Sequence, residues 1–412
     1  MDNSHTKPYQ VIIIGAGAAG LMAAITAGRT GRSVLVIERN PAIGRKILVT
    51  GNGRCNLTNT ETGPDKYYGQ NTKCLHNIFS RFSCSDAIAF FEGLGVPLKT
   101  EEAGRVLPTS DQASYIVNAM GDELSRLKVT LKLEERLVSL SPKSGRWQAV
   151  TDKDAYQAKT IIIAAGGKSY PQLGSTGDGF DLAQKLGHSI IEPHAGLVPL
   201  ELSGNWFREL QGVQSEVEMT LIVKGKTIRR TGQLLFTHFG ISGPPVMDLS
   251  RLITANPESV LTANFMPAYK SAQDLTRFLM GHFQAQPQKT LLNVLSGFLP
   301  RKICAVLLNR LTFHHESRAG HMPKVRTQLI AQLLNSWPLE ITGPRPFAES
   351  MVTAGGVPMD EVNTRTMESN KAKGVYLAGE VLDIDGISGG YNLQFAWSTG
   401  YLAGASAAQN LD

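Results

Sequence analysis

Cysteine is scarce in this sequence of 412 residues, and its distribution excludes two common ways of stabilising a chain. Cys55, Cys74, Cys84 and Cys304 are widely dispersed and form no Cys-x-x-Cys pair. A zinc site or a disulfide framework needs cysteines at closer, more regular spacings. We therefore expect a reduced protein without a bound metal ion, which indicates the cytoplasm.

Long hydrophobic runs are also missing. Crossing a bilayer takes roughly 18 apolar residues, and no stretch of the sequence approaches that length. The chain begins with a polar stretch, and the apolar residues 11–14 are far fewer than the core of a signal peptide requires. We expect neither a membrane-spanning segment nor a secretory leader.

The order of the periodic patterns predicts three structural parts. Strand-like and helix-like stretches alternate in residues 1–194 and again in residues 351–412, which indicates one α/β domain built from both ends of the chain. Residues 195–270 and 336–350 show the period-two alternation of an inserted antiparallel module. Residues 271–335 have helical periodicity and predict a helical subdomain that interrupts this insertion.

The chain is moderately basic, with a formal net charge of +6 and a calculated pI near 9.0. An excess of this size suits an anionic partner such as RNA. An ordinary surface rich in lysine and arginine explains the charge equally well. Charge alone therefore leaves both explanations open.

The segment GAGAAG, directly after the first apolar run, predicts a dinucleotide site. Gly15 allows a tight turn, Gly17 allows the backbone to approach a pyrophosphate, and Gly20 allows the following helix to pack closely on the strand. The N-terminus of that helix directs unpaired N–H groups at the phosphate. Glu38, at the end of the next strand, is placed to accept hydrogen bonds from an adenosine ribose.

Later segments favour FAD over NAD. A nicotinamide dehydrogenase usually continues the parallel sheet, whereas residues 129–133, 136–140 and 147–151 here predict a small antiparallel meander. The chain then returns in a buried type of strand, TIIIAAGG, at residues 160–167. A third segment, residues 374–400, resembles the strand–glycine–acid–loop–helix segment that closes an FAD site of the glutathione-reductase type.

Two features of this third segment point to the flavin itself. Glu380 stands where that fold carries the acid that binds the ribityl chain. The helix beginning near Tyr391 directs its positive dipole end at the pyrimidine edge of the flavin, which stabilises the anionic reduced form.

The loop GRKILVTGNGRCNLTN, residues 44–59, lies beyond Glu38, where this fold passes the ribityl chain and the flavin. Its glycines permit close backbone approach, its asparagines offer polar contacts, and its cations suit a pyrophosphate or a reduced flavin. Simple solvation at the surface is the alternative for each cation. The residues concerned are Gly51 and Gly53, Asn52 and Asn56, and Arg45, Lys46 and Arg54.

Several quoted segments together resemble one family. VIIIGAGAAGLMAA, GRKILVTGNGRCNLTN, LLFTHFGISGPPVMDLS, TAGGV and GEVLDIDGISGGYNLQFAWSTG are similar to the signature segments of the BaiN/RdsA-type NAD(P)/FAD-dependent oxidoreductases of bacteria. The resemblance covers about residues 9–410. It implies an FAD-binding α/β domain of the Rossmann-like, glutathione-reductase type. It also implies an inserted β-barrel-like domain that is itself interrupted by a small helical bundle.

The motifs and the resemblance together predict the residues that contact FAD. These are Gly15, Gly17, Ala18, Ala19, Gly20, Glu38, Arg39, Arg45, Lys46, Gly51, Asn52, Gly53, Arg54, Cys55, Asn56, Leu137, Ala165, Gly166, Gly379, Glu380, Gly389, Gly390, Tyr391, Asn392 and Leu393.

Only one dinucleotide fingerprint is recognisable, because TAGGV at residues 353–357 lacks a long preceding strand and a following acid. We therefore expect NAD(P)H to dock transiently over the flavin. Hydride would pass from NAD(P)H to FAD and then to an electron-poor double bond. Cys55 is a candidate for the proton donor to the second carbon, with His238 and Tyr391 as rivals. Alternatively, Cys55 packs beside the flavin and His238 ties the insertion to the α/β domain.

The resemblance does not choose a substrate, because similar proteins reduce a ribosomal-RNA uridine, reduce steroid rings or oxidise amines. A uridine of 23S ribosomal RNA is our leading hypothesis. A small-molecule oxidase or enoate reductase, and a non-catalytic FAD-carrying RNA-binding or assembly factor, are the alternatives. Two basic segments of the insertion, residues 224–230 and 314–326, are candidates for RNA contact, with solvated surface as the alternative. We predict no stable protein partner.

Overall fold

The computed structural model describes residues 8–409, so the first seven and last three residues of the predicted α/β domain lie outside the described part. The chain divides into two compact units. The first comprises the residues up to Ala195 together with those from Met351 onward, and the second is Gly196–Ser350. A hydrogen bond of 2.8 Å from Ser350 Oγ to the carbonyl oxygen of Gly196 joins the two ends of the second unit.

The strands are numbered in chain order. They are β1 (Tyr9–Ile14), β2 (Val34–Ile37), β3 (Thr58–Asn59), β4 (Tyr67–Tyr68), β5 (Leu98–Thr100), β6 (Arg105–Pro108), β7 (Thr130–Lys132), β8 (Leu137–Lys143), β9 (Arg146–Thr151), β10 (Ala155–Ile163), β11 (Ile191–Gly196), β12 (Leu200–Leu202), β13 (Gln214–Val223), β14 (Lys226–Phe236), β15 (Gly240–Ser242), β16 (Val260–Asn264), β17 (Trp337–Leu339), β18 (Ile341–Pro344), β19 (Val352–Gly356), β20 (Val362–Asn363), β21 (Glu368–Ser369), β22 (Val375–Leu377) and β23 (Asp385–Gly386).

The α-helices follow the same convention. They are α1 (Ala18–Arg29), α2 (Arg45–Val49), α3 (Leu75–Phe79), α4 (Cys84–Gly93), α5 (Ala113–Arg126), α6 (Asp178–Lys185), α7 (Pro244–Thr254), α8 (Ala272–Ala285), α9 (Leu291–Leu295), α10 (Arg301–Arg310), α11 (Lys324–Asn335) and α12 (Tyr391–Gln409). None of the helices between residues 8 and 409 has the length and apolar character that crossing a membrane would take.

The main sheet of the first unit has the order β20-β21-β22-β10-β1-β2-β7. Strands β22, β10, β1, β2 and β7 run parallel. Strands β1 and β2 read as nearly continuous aliphatic runs because a parallel sheet is covered on both faces. Since the central strands are parallel, their carboxyl ends meet at one edge of the sheet, which confirms the predicted Rossmann-like α/β fold.

Helices α1 and α12 pack unusually closely over this sheet. A Cβ atom added to Gly400 would lie 2.4 Å from the carbonyl oxygen of Ala19, and one added to Gly404 would lie 2.4 Å from that of Ala23. The four-residue spacing places both glycines on the same face of α12. The two helix backbones therefore touch, which fixes the N-terminus of α1 relative to the last helix.

The predicted meander is partly wrong. Strands β8, β9 and β10 do form consecutive antiparallel pairs. The first of the three alternating stretches instead forms β7, which pairs in parallel with β2 at the edge of the main sheet. Helix α5 precedes β7 directly and provides the crossover that a parallel strand needs.

The second unit contains a seven-stranded antiparallel sheet with the order β17-β16-β13-β14-β15-β12-β18. Its two end strands are consecutive in the chain, with only Glu340 between them. The two edge strands therefore come together at this residue, which fits the predicted barrel-like form of the insertion. Helices α8 to α11 share one hydrophobic core with this sheet. The division of the insertion into separate β and helical modules stays a prediction.

The basic segment at residues 224–230 forms a hairpin between β13 and β14. Lys224 and Gly225 make its two-residue turn with φ angles of 48° and 72°, which suits the right-handed twist of the strands. Lys224, Lys226 and Arg229 are exposed at or near this turn.

Candidate cofactor site

The glycines of GAGAAG have three distinct steric surroundings. Gly15 has φ +102°, and a Cβ atom there would lie 2.5 Å from the carbonyl oxygen of Ala164. A Cβ atom on Gly20 would lie 1.9 Å from the carbonyl oxygen of Gly15. At Gly17 a Cβ atom would meet nothing within 4 Å. The turn thus needs glycine at Gly15 and Gly20 for packing, whereas Gly17 borders open space at the N-terminus of α1, which begins at Ala18 and the buried Ala19.

Glu38 is buried beside this turn. Its Oε2 accepts a hydrogen bond of 2.7 Å from the backbone N–H of Ala16, and its Oε1 accepts one of 2.9 Å from the N–H of Asn40. Gly15 N–H donates to the carbonyl oxygen of Ile37 at 2.8 Å. The acid predicted to bind a ribose is therefore held against the glycine turn by backbone donors.

The two arginines after Glu38 have protein partners. Arg39 donates to the hydroxyl of Thr176 and lies 3.3 Å from a carboxylate oxygen of Asp178. Arg45 donates from Nη1 to Oδ1 of Asn40 at 2.8 Å. Arg39 thus connects the segment after β2 with Thr176 and Asp178, and Arg45 connects α2 with Asn40 of that segment.

Glu380 and Lys46 form an ion pair, although they are 334 positions apart in sequence. Lys46 Nζ lies 2.5 Å from Glu380 Oε2, and Ser169 also donates its hydroxyl to this carboxylate. The N–H of Thr353 donates to Glu380 Oε1 at 2.8 Å. Burial by itself would raise the pKa of Glu380, but Lys46 and these hydrogen bonds lower the pKa below its ordinary value. The carboxylate is therefore ionised at neutral pH.

Ser169 and Thr353 are contacts that sequence reasoning missed. Thr353 Oγ1 accepts hydrogen bonds from the N–H groups of Lys168 and Ser169 at 2.8 and 3.1 Å. A Cβ atom on Gly167 would lie 2.3 Å from the same oxygen. The glycine pair at the end of TIIIAAGG, which includes Gly167, was the only signal in the sequence for a close contact at this place. The serine and the threonine offered none of comparable strength.

The three predicted motifs meet at the carboxyl edge of the sheet. Ala165 borders Gly15, where a Cβ atom would lie 3.1 Å from the Cα of Ala165. Gly166 has φ +74°. Gly379 has φ +75° and donates its N–H to Thr399 Oγ1 at 2.9 Å. A Cβ atom added to Gly379 would lie 2.8 Å from the Cβ of Ala19, which is too close for a side chain. Leu137 is buried at the start of β8.

The loop after α2 has an unusual backbone. Gly51, Asn52, Gly53 and Cys55 have φ angles of 56°, 56°, 84° and 63°. Left-handed conformations at two non-glycine residues carry strain, which is typically found where a backbone is shaped for a ligand. Asn52 is exposed, and a Cβ atom on Gly51 would lie 3.1 Å from Oδ1 of Asn56.

Cys55 is completely buried within the hydrophobic core of the first unit. Burial raises the pKa of its thiol to about 12, although a hydrogen bond with Thr50 acts in the opposite direction. A thiol that is inaccessible and this weakly acidic is poorly suited to protonate a substrate. This burial suits a packing role for Cys55, and a position beside the flavin stays a prediction.

Arg54 faces charged residues in the β5–β6 hairpin and in the segment directly after it. It forms a hydrogen bond with Glu101 and another of 2.8 Å from Nη2 to Oδ1 of Asp111. Its charge is thus matched within the protein, which suits a role in holding the strained loop, and its contact with FAD stays a prediction.

Residues at the beginning of α12 contact the loop that contains Asn59. Asn59 Nδ2 donates to the carbonyl oxygen of Gly389 at 3.0 Å, and a Cβ atom on Gly390 would lie 2.4 Å from the carbonyl oxygen of Thr58. Asn392 bonds both the N–H and the carbonyl of Gly386, at 2.8 and 2.9 Å. Its amide therefore shapes the turn before the helix.

Tyr391 is buried, and its carbonyl oxygen accepts a hydrogen bond of 2.8 Å from the hydroxyl of Tyr67. Leu393 packs against the core of the first unit. His238 belongs to the second unit, where it is exposed in the turn between β14 and β15 and its ring lies 4.9 Å from that of Phe239.

A glycine turn after the first parallel strand, an acid at the end of the second, and a close-packed helix define a Rossmann-type dinucleotide-binding domain. Residues 9–406 match the family model described as HI0933-like protein Rossmann domain. The chain belongs to this family, and the resemblance seen in the sequence is confirmed.

Curated relatives match nearly the whole chain. It is 34% identical over 404 residues to the 3-dehydro-bile acid delta(4,6)-reductase of Clostridium scindens, covering 96% of this chain and 98% of that protein. It is 33% identical over 402 residues to the ribosomal RNA dihydrouridine synthase of Escherichia coli, covering 95% and 96%. The synthase of the same name from Haemophilus influenzae is 32% identical over 404 residues, covering 97% and 98%.

Solved structures share the fold at low identity. A 3-ketosteroid delta1-dehydrogenase from Sterolibacterium denitrificans superposes with a TM-score of 0.53 at 12% identity, covering 98% of this chain and all of that one. A flavocytochrome c3 fumarate reductase gives a TM-score of 0.50 at 16% identity, covering 99% and 79%. With the family and the site, the chain is an enzyme of the FAD-dependent oxidoreductase class.

Proposed function

We propose that this protein is a reductase of an activated C=C bond that takes electrons from NAD(P)H, and that its substrate is a uridine of 23S ribosomal RNA. The observation that carries the substrate is the end-to-end similarity, at 32% and 33% identity, to two ribosomal RNA dihydrouridine synthases. Such a substrate implies action in the cytoplasm.

The residues present fit FAD. The open space at Gly17, directly before α1, suits a pyrophosphate, because the first N–H groups of a helix are unpaired and carry its positive dipole end. Glu38 suits the adenosine ribose, and the strained loop with Gly51 and Asn56 suits the ribityl chain and the ring. The ion pair of Lys46 with Glu380 places hydrogen-bonding groups of both charges at the same edge.

When bound, FAD supplies two-electron transfer between NAD(P)H and an electron-poor double bond. The protein's own residues bind and orient the partners and deliver the proton. We propose Tyr391 Oη or a ring nitrogen of His238 as the proton donor. His238 is exposed, and Tyr391, although buried like Cys55, borders the turn at Gly389 where α12 begins. Tyr391→Phe and His238→Asn distinguish them, since only the true donor's loss should slow product formation while NAD(P)H still reduces the flavin.

The charge distribution supports RNA as the partner. Of the 41 lysines and arginines, 16 lie in Gly196–Ser350 together with 10 of the 35 acidic residues. The second unit thus carries the whole net charge of +6, and the rest of the chain is balanced. The exposed cations of the β13–β14 hairpin belong to this unit. A unit that carries the whole net positive charge suits phosphate contacts on a large RNA.

A second candidate is reduction of a steroid-like enone. It is favoured by the 34% identity to the bile acid reductase. The two candidates share the flavin chemistry and differ in the substrate, so they separate cleanly by experiment.

The test uses a deletion strain. Mass spectrometry of its 23S ribosomal RNA should show one dihydrouridine lost, and the wild-type gene should restore it while the Gly17→Asp variant should not. In parallel, the purified enzyme is mixed anaerobically with NADH or NADPH, and the flavin absorbance near 450 nm should bleach. An unchanged RNA profile together with flavin reoxidation by an enone would move the assignment to the second candidate. No bleaching by either nucleotide would contradict the reductase.

A further inference from the structure

A group of five charged side chains lies beside the candidate site and holds one cation more than its carboxylates can match. Its members are Arg54, Lys99, Arg105, Glu101 and Asp111. Lys99 Nζ lies 2.6 Å from Asp111 Oδ2, and Arg54 binds both carboxylates. Arg105 has only Glu101, at 3.5 Å, and shares it with the other two cations. Arg105 is therefore the member with the least compensation.

One donor of Arg105 has no partner. Its Nε is buried and makes no hydrogen bond within the described residues 8–409. Buried N–H groups are almost always paired, and a buried unpaired donor on a charged group is costly. The side chain as a whole is 41% exposed, so its Nη groups can be reached from solvent. A ligand could therefore engage the guanidinium without moving it.

The position of Arg105 connects it with the site. It stands opposite Asn59 in the β3–β6 pair, and Asn59 in turn bonds the carbonyl of Gly389. A Cβ atom on Gly389 would lie 3.8 Å from Cγ of Arg105 and 3.6 Å from Cε2 of Tyr391. The aliphatic part of the Arg105 side chain thus borders the turn that leads into α12.

We propose that Arg105 binds an oxyanion of the substrate. A guanidinium presents a planar array of donors that matches phosphate and carboxylate oxygens, and its uncompensated charge favours an anion over a neutral group. This inference rests on the proposed function, under which the oxyanion is a phosphodiester of the ribosomal RNA. Under the alternative substrate class it is the carboxylate of a small molecule.

The first experiment measures RNA binding and turnover with the FAD-loaded enzyme. The probe is 23S ribosomal RNA from the deletion strain, and the variants are Arg105→Gln, Arg105→Lys and the matched control Arg146→Gln in the β8–β9 hairpin. Arg105→Gln should raise KM by about tenfold at an unchanged kcat and reduce the slope of log KM against log salt by about one. Arg105→Lys should recover part of the loss, and Arg146→Gln should match wild type.

FAD content and the flavin midpoint potential supply a readout that does not depend on turnover. Both should stay at wild-type values in Arg105→Gln. Loss of FAD or a shifted potential would mean that Arg105 contacts the cofactor, and would overturn the proposal. A wild-type KM and salt slope in Arg105→Gln would overturn it as well.

A second probe separates this proposal from the proposed function. If the wild-type enzyme neither binds nor converts the RNA, the proposed substrate fails. Inorganic phosphate and acetate are then titrated while the flavin spectrum is recorded. A perturbation by either anion that Arg105→Gln abolishes supports the oxyanion site, with acetate pointing to a carboxylate substrate. A spectrum indifferent to both anions overturns the site.

Discussion

Replacing Gly17 with alanine should separate cofactor binding from folding. A Cβ atom at Gly17 meets no protein atom within 4 Å, and its backbone, with φ −81° and ψ −170°, is allowed for any residue. The variant should therefore fold with a free energy of unfolding within about 1 kcal/mol of wild type, since alanine is a somewhat poorer N-cap but reduces the entropy of the unfolded chain. The new methyl group would occupy the space that we assign to the pyrophosphate.

The expected loss is one of affinity. Forcing a methyl group into a fitted contact costs about 1–3 kcal/mol, which corresponds to a weakening of about 5- to 150-fold in the dissociation constant for FAD. Apoprotein is titrated with FAD and the quenching of flavin fluorescence is followed. The melting temperature of each apoprotein is measured alongside.

Two other glycines provide controls. Gly20→Ala should lower the melting temperature of the apoprotein, because its Cβ would lie 1.9 Å from the backbone oxygen of Gly15. Gly93→Ala, at the end of α4 with no atom within 4 Å, should leave both stability and FAD affinity unchanged. Wild-type FAD affinity in Gly17→Ala would refute the location of the pyrophosphate, and a melting temperature as low as that of Gly20→Ala would refute the steric reasoning.

Three further variants test other parts of the first unit. Lys46 and the hydrogen-bond partners of Glu380 lower the pKa of this carboxylate against the effect of burial, so it stabilises the folded protein fully above pH 4.5 and loses this effect as the pH falls below that value. Between pH 5 and 3.5, the melting temperature of Glu380→Gln should therefore fall less than that of wild type. An equal fall would contradict this reasoning. Burial lowers the pKa of His188 below 6.5, although Glu361 acts in the opposite direction. The free energy of unfolding should therefore be highest above pH 6.5 and decrease below it. The urea midpoints at pH 7.5 and 5.5 should differ less in His188→Gln than in wild type. Cys55→Ala should retain substrate turnover, whereas lost turnover with intact flavin reduction would restore the thiol as proton donor.

The parts of the site that sequence predicted best are those fixed by local sterics. Gly15 and Gly20 were assigned their roles because a tight turn and a close helix leave no room for a side chain, and the distances agree. The order of the three motifs implied their meeting, because carboxyl ends of parallel strands share an edge. Such arguments need only the spacing along the chain.

What sequence could not provide were partners that meet only after folding. The ion pairs of Arg54 with Glu101 and Asp111 could not be predicted, because both acids lie about fifty residues further along the chain. Thr353 was considered only as part of the TAGGV segment, whereas its hydroxyl accepts hydrogen bonds from two backbone N–H groups. The strand at Thr130–Lys132 was misassigned because alternation does not reveal whether its neighbour runs parallel or antiparallel.

The hydrogen bond of 2.8 Å between Ser350 and Gly196 has a consequence for how this family can diversify. Because the two ends of the second unit are in contact, the first unit has to span only the short distance that a surface loop would span. Changes within the second unit can therefore accumulate in evolution while the strands of the first unit keep their register. Relatives named for a bile acid and for ribosomal RNA are each matched along nearly their whole length, so the insertion is retained while the named substrates differ.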